Sequence, residues 1–198
     1  MPTGCKLESD FSVADCLALE KGGTTGTLYL VNYSDWVTAT ITEDADKQIT
    51  DAVLTTLGSK AVSYDLPRGT AVNPSTPFTD NAGGKSGYTH SLELFIPTKD
   101  QVLKNEISGK GNYGRVVAIV VLDSSIVAQV FGNDVGMKLT AFEENPNDVS
   151  KGGGITVTFS TPTDITLENL PARTFGTGLE ADRAATVVKL EALKVVVV

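Results

Sequence analysis

Hydrophobic and polar positions alternate along much of the chain, and this period of two is typical of strands with one buried face. The clearest case is Ser91–Pro97, where Leu92, Leu94 and Ile96 share one face. The same alternation predicts strands in four other segments, and threonine content favours a strand over a helix in a fifth. These segments are Gly26–Tyr33, Trp36–Thr42, Lys60–Leu66, Gly154–Ser160 and, on threonine content, Ile49–Leu57.

One segment is apolar at almost every position. Arg115–Asp123 is too continuously apolar for a strand with a face in water, so we expect it to be buried on both faces. Ser125–Gly132 and Gly136–Phe142 follow across very short turns and are predicted as two more strands. The middle of the chain therefore predicts a compact group of three strands.

A helix is expected between the strand Ser91–Pro97 and this group. Thr98 and Gln101 have the spacing of a capping box, in which the two side chains satisfy backbone N–H groups at a helix start. Three apolar residues then share one face, and two glycines end the helix: Val102, Leu103 and Ile107, then Gly109 and Gly111. The pattern predicts a β-rich body with one helix packed on it.

Two segments have a different composition. Pro67–Gly87 is rich in proline, glycine and small polar residues, which predicts a long loop. Loops of this length are usually functional or disordered, and in a structural protein such a loop would serve as an arm that orders only against a neighbouring subunit. At the end of the chain, Leu179–Leu190 is compatible with a helix, and the terminal valines favour a strand. Because an exposed apolar strand end promotes aggregation, we expect Val187–Val198 to pair within its own sheet or with another chain.

The length of 198 residues suggests one domain, with an N-terminal arm 1–22 and a C-terminal extension 161–198. The start shows no signal peptide and no apolar run could span a bilayer, so we expect synthesis in the cytoplasm. The net charge of −8 argues against binding to nucleic-acid phosphates, although DNA could slide past an acidic surface. In that compartment Cys5 and Cys16 are expected to be reduced thiols, with a disulfide as the alternative.

No motif in the chain predicts catalysis. Gly109–Gly114 matches G-x-G-x-x-G, but it follows a helix and precedes a strand, which is the reverse of the dinucleotide-binding order. His90 is the only histidine and no nucleophile elbow accompanies it, so we expect it at the surface or at a strand edge. The acidic clusters Glu43–Asp46 and Glu143–Asp148 lack EF-hand spacing and are expected to be solvated turns. We predict no enzymatic activity, no cofactor and no metal.

The middle and late chain resembles the tail-tube-like structural proteins of phages and prophages of Bacteroidetes bacteria, crAss-like phages included. The resemblance lies in SLELFIPTKDQVLKNEI, RVVAIVVLDSSIVAQVFGNDVGMKLTAFE and GGGITVTFSTP, and more loosely in the glycine pair before TLYLVNY and in Tyr64–Leu66. The residues that match the family pattern are Gly132, Gly136–Thr140 and Gly154–Phe159. The chain departs from it in the short turn Asp123–Ser125 and in its extension after Thr161, which leaves a collar component or another virion protein open.

The resemblance implies a mainly β fold, either a β-sandwich or a small β-barrel, with one flanking α-helix. It also implies a virion protein that forms homo-oligomeric rings, hexameric or a multiple, in a tail tube or neck. Its partners would be copies of itself and other virion proteins, with transient, non-specific passage of DNA and no membrane.

The expected ring contacts lie in the long loop and at the C-terminus: Pro74, Phe78, Tyr88, Val195, Val196 and Val197. A monomeric β-sandwich module that binds carbohydrate or protein is the alternative. Such a module would expose aromatic residues near its loops, and the candidates are Tyr33, Trp36, Phe78 and Tyr88, all of which could instead be ordinary core or loop anchors.

Overall fold

A computed structural model describes most of the chain. The described residues are 24–66, 72–81, 85–96, 114–122, 128–144, 154–162, 167–176 and 183–197, with residues 101, 104, 105, 107 and 109. The predicted N-terminal arm, with Cys5 and Cys16, lies outside them, as does the proposed helix cap at Thr98.

The described residues are mainly β. The strands are β1 (Thr24–Asn32), β2 (Thr40–Glu43), β3 (Ile49–Val53), β4 (Val62–Asp65), β5 (Val72–Ser75), β6 (Phe78–Asn81), β7 (Lys85–Tyr88), β8 (Ser91–Ile96), β9 (Val116–Leu122), β10 (Ala128–Phe131), β11 (Lys138–Glu144), β12 (Ile155–Ser160) and β13 (Arg173–Phe175). The helices are α1 (Tyr33–Val37) and α2 (Arg183–Ala192). The residues described between 101 and 109 are also helical, as the sequence pattern predicts.

Two open sheets pack against each other. The seven-stranded sheet has the order β2-β3-β13-β10-β9-β1-β4, and the four-stranded sheet has the order β11-β12-β8-β5. The strand pairs are antiparallel except for β13 with β3. Both sheets end on outer strands and neither closes on itself. Of the two predicted architectures, the β-sandwich with a flanking helix is therefore confirmed, and the small barrel is wrong.

Strand β9 is buried on both faces, which explains its continuous apolar sequence. Val116, Ala118 and Val120 pack with the four-stranded sheet in one core cluster. The intervening residues, Val117 and Ile119 among them, pack with α2 in a second cluster. The prediction of a strand without a face in water is confirmed.

The predicted C-terminal extension is an integral part of this fold. Strand β13 pairs with β10 and β3 inside the seven-stranded sheet. Leu190 and Leu193 of the α2 region are buried in the second core cluster. The terminal valines do not form a strand in the described range 195–197. Instead, Val197 accepts a hydrogen bond from Gly58 N–H at 2.8 Å and donates one to the carbonyl of Ser59.

The strand predicted at Trp36–Thr42 is wrong in its first half. Residues Tyr33–Val37 form α1, and only Thr40–Glu43 forms a strand. Trp36 is 1% exposed, and its indole N–H donates to Asn133 Oδ1 at 3.0 Å. This tertiary contact places Trp36 in the core from a helical turn, so the alternation of apolar residues was misleading here.

The long loop predicted at 67–87 contains three short strands. Strand β5 pairs with β8 at the edge of the four-stranded sheet, and β6 pairs with β7. Pro74 fits β5 because an edge strand needs hydrogen bonds along one side only. The composition correctly excluded a central strand, but it gave no signal for an edge strand and a hairpin.

Candidate functional site

Strands β6 and β7 form a hairpin that belongs to neither large sheet. Phe78 pairs with Tyr88, and the two rings meet edge to face with centroids 5.5 Å apart and planes at 71°. The Phe78 side chain is nevertheless 61% exposed. An aromatic side chain exposed on a separate hairpin is a feature that a binding partner can cover.

The base of this hairpin is hydrogen-bonded to the segment 167–176. The N–H of Tyr88 donates to the carbonyl of Glu168 at 2.9 Å, and the N–H of Glu168 donates back to the carbonyl of Tyr88 at 3.0 Å. Gly87 approaches the same segment so closely that an added Cβ would lie 2.6 Å from the Cβ of Leu167. The direction in which the hairpin leaves the body is therefore set by this pair of backbone bonds.

The carboxylate of Glu168 is buried near the hairpin base. Its Oε2 accepts a hydrogen bond from Asp134 N–H at 2.8 Å, and its Oε1 accepts one from Val135 N–H at 3.0 Å. Burial raises the pKa of this carboxyl group, and the two backbone donors oppose the rise because they favour the ionised form. Glu168 thus connects the segment 167–176 to the turn 132–136.

His90 is buried beside the same turn, at 1% exposure. Its Nδ1 accepts from Gly132 N–H at 2.8 Å, and its Nε2 lies 3.0 Å from the carbonyl oxygen of Leu170. Since a carbonyl only accepts, Nε2 carries the proton and the ring is neutral. Burial lowers the pKa of His90 below its ordinary value. The prediction of a surface position for His90 is wrong, because its partners are distant in sequence.

Asp134 extends these contacts towards the edge of the seven-stranded sheet. Its Oδ2 accepts hydrogen bonds from the backbone and side chain of Asn169 at 3.2 and 3.1 Å. Its Oδ1 lies 3.3 Å from Nη2 of Arg173, which also pairs with the Glu43 carboxylate. Residues Glu43–Asp46 are exposed, as predicted, but Glu43 also has this ion pair.

We refer to His90, Asp134, Glu168 and Arg173 as the polar network; His90 and Glu168 are buried, and the other two are half-buried. Its carboxylates and its imidazole are occupied by backbone and side-chain partners from three segments of the chain. This arrangement suits a structural role, since the imidazole and the Glu168 carboxylate both hold the turn 132–136 in place. Within the part of the chain that the structure describes, no three His, Cys, Asp or Glu side chains are grouped to bind a metal ion.

A small pocket of about 150 Å³ lies beside the outer strand β4, and we call it the side pocket. Its apolar lining residues are Leu30, Val31, Val62, Ile107, Val116 and Phe159. Lys60 and Tyr64 add polar groups to the lining. The pocket therefore offers an apolar interior with a few polar atoms, as ligand and side-chain pockets commonly do.

A second apolar feature lies between β3 and α2. Val53, Val188, Val195 and Val196 line one groove there, and their exposures are 53%, 68%, 69% and 44%. We call these four residues the valine surface. Apolar side chains clustered in this way often mark an interaction site.

The six residues predicted to form ring contacts fall into two separate regions. Pro74, Phe78 and Tyr88 lie in β5 and in the hairpin, whereas Val195–Val197 follow α2. Phe78, Val195 and Val196 are exposed, while Pro74 and Tyr88 are half-buried. Val197 packs against the core cluster beneath α2 and contributes little exposed surface.

The sequence analysis missed Glu168 and Asp134. Both lie in irregular segments with no apolar period, and each finds its partners more than 30 positions away. A single charged residue preceded by an apolar one, as in Leu167-Glu168, occurs in many exposed loops, so no local pattern distinguishes a buried carboxylate there.

Comparison with protein-family models, curated proteins and solved structures found no match to this chain. The described helices are all too short or too polar to cross a membrane.

Proposed function

We propose that this protein is a structural subunit of a phage virion, which assembles into rings of a tail tube or neck through which DNA passes. The resemblance in sequence motivates the proposal. The observation that carries it is the hairpin β6–β7, which exposes Phe78 while its base is held by the Glu168 backbone bonds. An arm that is ordered before binding loses less conformational entropy when a neighbouring subunit covers it.

The outer strand β11 supports the proposal as a second contact. It is the seven-residue edge of the four-stranded sheet, and its residues are exposed except for Leu139, which is half-buried. Edge strands present unpaired backbone groups to which a neighbouring chain can add a strand. The register shift between Leu139 and Ala141 and the charges of Glu143 and Glu144 would restrict such pairing to a partner of matching shape and charge.

The valine surface provides a third contact region. Its side chains lie in a groove, where a flat polar surface could not cover them as well as an apolar element of another subunit. The Ala61 N–H donates to the carbonyl of Leu193 at 2.7 Å, which fixes the chain before the exposed valines. In a stack of rings, this surface and the hairpin would be available for different neighbours.

The charge of the chain is compatible with the passage of DNA. At −8, the chain repels phosphates on average and would not retain DNA by non-specific contacts. Repulsion between like-charged subunits also means that apolar contacts must supply most of the assembly free energy at low salt.

The test is the solution mass of the purified chain over a wide concentration range, followed by negative-stain imaging. We expect oligomers that grow with concentration and appear as rings or tubes. Removing the chain after Leu190 would also remove buried Leu193, so point substitutions are better. Val195→Asp with Val196→Asp should weaken assembly, and Val195→Thr with Val196→Thr, which keeps the shape without a charge, should weaken it less.

A concentration-independent monomer would contradict this proposal. It would favour the alternative, a monomeric module that binds carbohydrate or protein. The half-buried Tyr88 and the exposed Phe78 would then be the first residues to test with a ligand screen.

A further inference from the structure

Phe78 is the most exposed aromatic side chain among the described residues. It is 61% exposed, against 39% for Phe142. Among the described residues its ring partner is Tyr88, with the two centroids 5.5 Å apart, and more than half of the Phe78 side chain stays exposed. A phenyl ring in water is unfavourable, so its exposure on an ordered hairpin needs a reason.

The side pocket has the size and chemistry to receive such a ring. Its volume is about 150 Å³ and its lining is mostly aliphatic and aromatic. In an unrelated protein, an engineered apolar cavity of about 150 Å³ binds benzene. The phenyl ring of Phe78 is of benzene size, so one ring would fill the pocket without leaving a large void.

The pocket and the ring belong to different parts of the fold. The pocket is lined from β1, β4, β9, β12 and Ile107, whereas Phe78 lies on the hairpin between β5 and β8. Phe78 lies against Tyr88 and is not among the residues that line the pocket of its own chain.

We propose that Phe78 of one copy inserts into the side pocket of the next copy. This inference rests on the proposed ring assembly and names its central contact. Because the projecting group and the pocket are different surfaces, the contact is head-to-tail, and each subunit has one of each. Each added subunit is rotated by the same angle relative to the one before it. The assembly closes into a ring when these rotations add up to a full turn.

The details of both surfaces agree with this contact. Ile107, Val116 and Phe159 line the inner part of the pocket and belong to one apolar core cluster, so an inserted ring would meet apolar side chains there. Val62 and Tyr64 are half-buried on the outer strand β4, where a hairpin from a neighbour can reach them. The bonds between Tyr88 and Glu168 hold the hairpin, so Phe78 enters the contact from a defined position.

The test uses two variants that each remove one half of the contact. Phe78→Ala removes the ring and leaves the pocket, and Val62→Trp fills the pocket and leaves the ring. Each should weaken self-association by about 30-fold or more, as for a central aromatic contact in other interfaces. Val37→Ala, which removes an apolar side chain that is also 61% exposed but lies outside the proposed contacts, should change it by less than about threefold.

Mixing the two variants gives the decisive measurement. One ring and one pocket remain intact in the mixture, so a Phe78→Ala chain and a Val62→Trp chain should form one-to-one dimers that do not extend. The mass of the mixture by sedimentation or light scattering reports this directly. Thermal unfolding of each variant alone checks that the fold is intact.

Three results would overturn the inference. If the native chain assembles and Phe78→Ala assembles equally well, the ring is not the contact and the proposed function stands. If the native chain stays monomeric at every concentration, the proposed ring function fails together with this contact. If each variant stays monomeric and the mixture also stays monomeric, the ring and the pocket do not pair.

Discussion

The hairpin and helix α2 are attached to the body in different ways. The hairpin base is bonded to a segment that contains a buried carboxylate, and this segment is tied to the turn 132–136 by hydrogen bonds. In contrast, α2 packs Leu190 and Leu193 into an apolar cluster, and its polar contacts lie at the margins, as with Tyr29 and Glu191. Hydrogen bonds are directional and apolar packing is not. The hairpin is therefore held in position, while α2 supplies stability through burial.

This comparison predicts that the largest loss of stability follows from a substitution of a buried residue in α2. Leu190 is fully buried there, and Leu190→Ala should lower the free energy of unfolding by about 2–5 kcal/mol. Val188→Ala, on the same helix but 68% exposed, should change it by about 0.5 kcal/mol or less. Chemical denaturation of both variants measures the difference. Equal effects would show that α2 is not held by burial.

At the hairpin base, Glu168→Gln should lower the free energy of unfolding by less than Leu190→Ala does, and its effect should be local. The amide keeps the shape and one acceptor, but places an N–H₂ group against a backbone donor. The expected loss is about 1–3 kcal/mol, and the matched control Glu93→Gln, at an exposed position of β8, should be near neutral. Hydrogen exchange at Tyr88 N–H distinguishes the local effect, since it should be faster in Glu168→Gln than global unfolding requires. Unchanged exchange there would show that the Glu168 carboxylate does not hold the hairpin base in place.

The buried imidazole predicts a pH effect. Burial lowers the pKa of His90 in the folded protein below 6.5, and the unfolded chain takes up a proton near that ordinary value. The contribution of the neutral ring is therefore present above pH 6.5 and is lost as the pH falls through the folded pKa. The slope of unfolding free energy against pH is at most about 1.4 kcal/mol per unit for one proton.

Unfolding in denaturant at pH 7.5, 6.5 and 5.5 tests this. His90→Gln keeps a donor and an acceptor, and it should give a shallower slope than the native chain. Glu168 acts with the opposite sign, because its raised pKa contributes stability below its ordinary value of 4.5 that is lost as the pH rises through the folded value. A slope in His90→Gln as steep as in the native chain would contradict the assignment to His90.

The smallest effect is expected at the margin of α2. Tyr29 donates its hydroxyl to Glu191 Oε1 at 2.7 Å, and Glu191 is exposed. Tyr29→Phe should cost about 1 kcal/mol or less, because the carboxylate can take water instead. A double-mutant cycle with Glu191→Ala measures the coupling between the two side chains. Additive effects would show that the hydrogen bond contributes little.

The elements that could be predicted were those with a local period. β8 shows the alternation of three buried residues, and β9 shows the continuous apolar run. The described residues between 101 and 109 are helical, and Ile107 of the predicted apolar face is buried. The hairpin β6–β7 and β5 could not be predicted, since edge strands and hairpin strands need no apolar pattern when their partners supply the backbone bonds.

By itself, the sequence determined the β-rich class and most strands, because period-two burial follows from the strand geometry of each segment. It also determined that β9 has two covered faces. Only the tertiary structure decided that Trp36 and His90 are buried, that Glu168 holds the hairpin base and that the C-terminal segment completes the large sheet. These features depend on partners tens of residues apart, and the cost of burying a polar group is repaid only after the chain has brought its partners together.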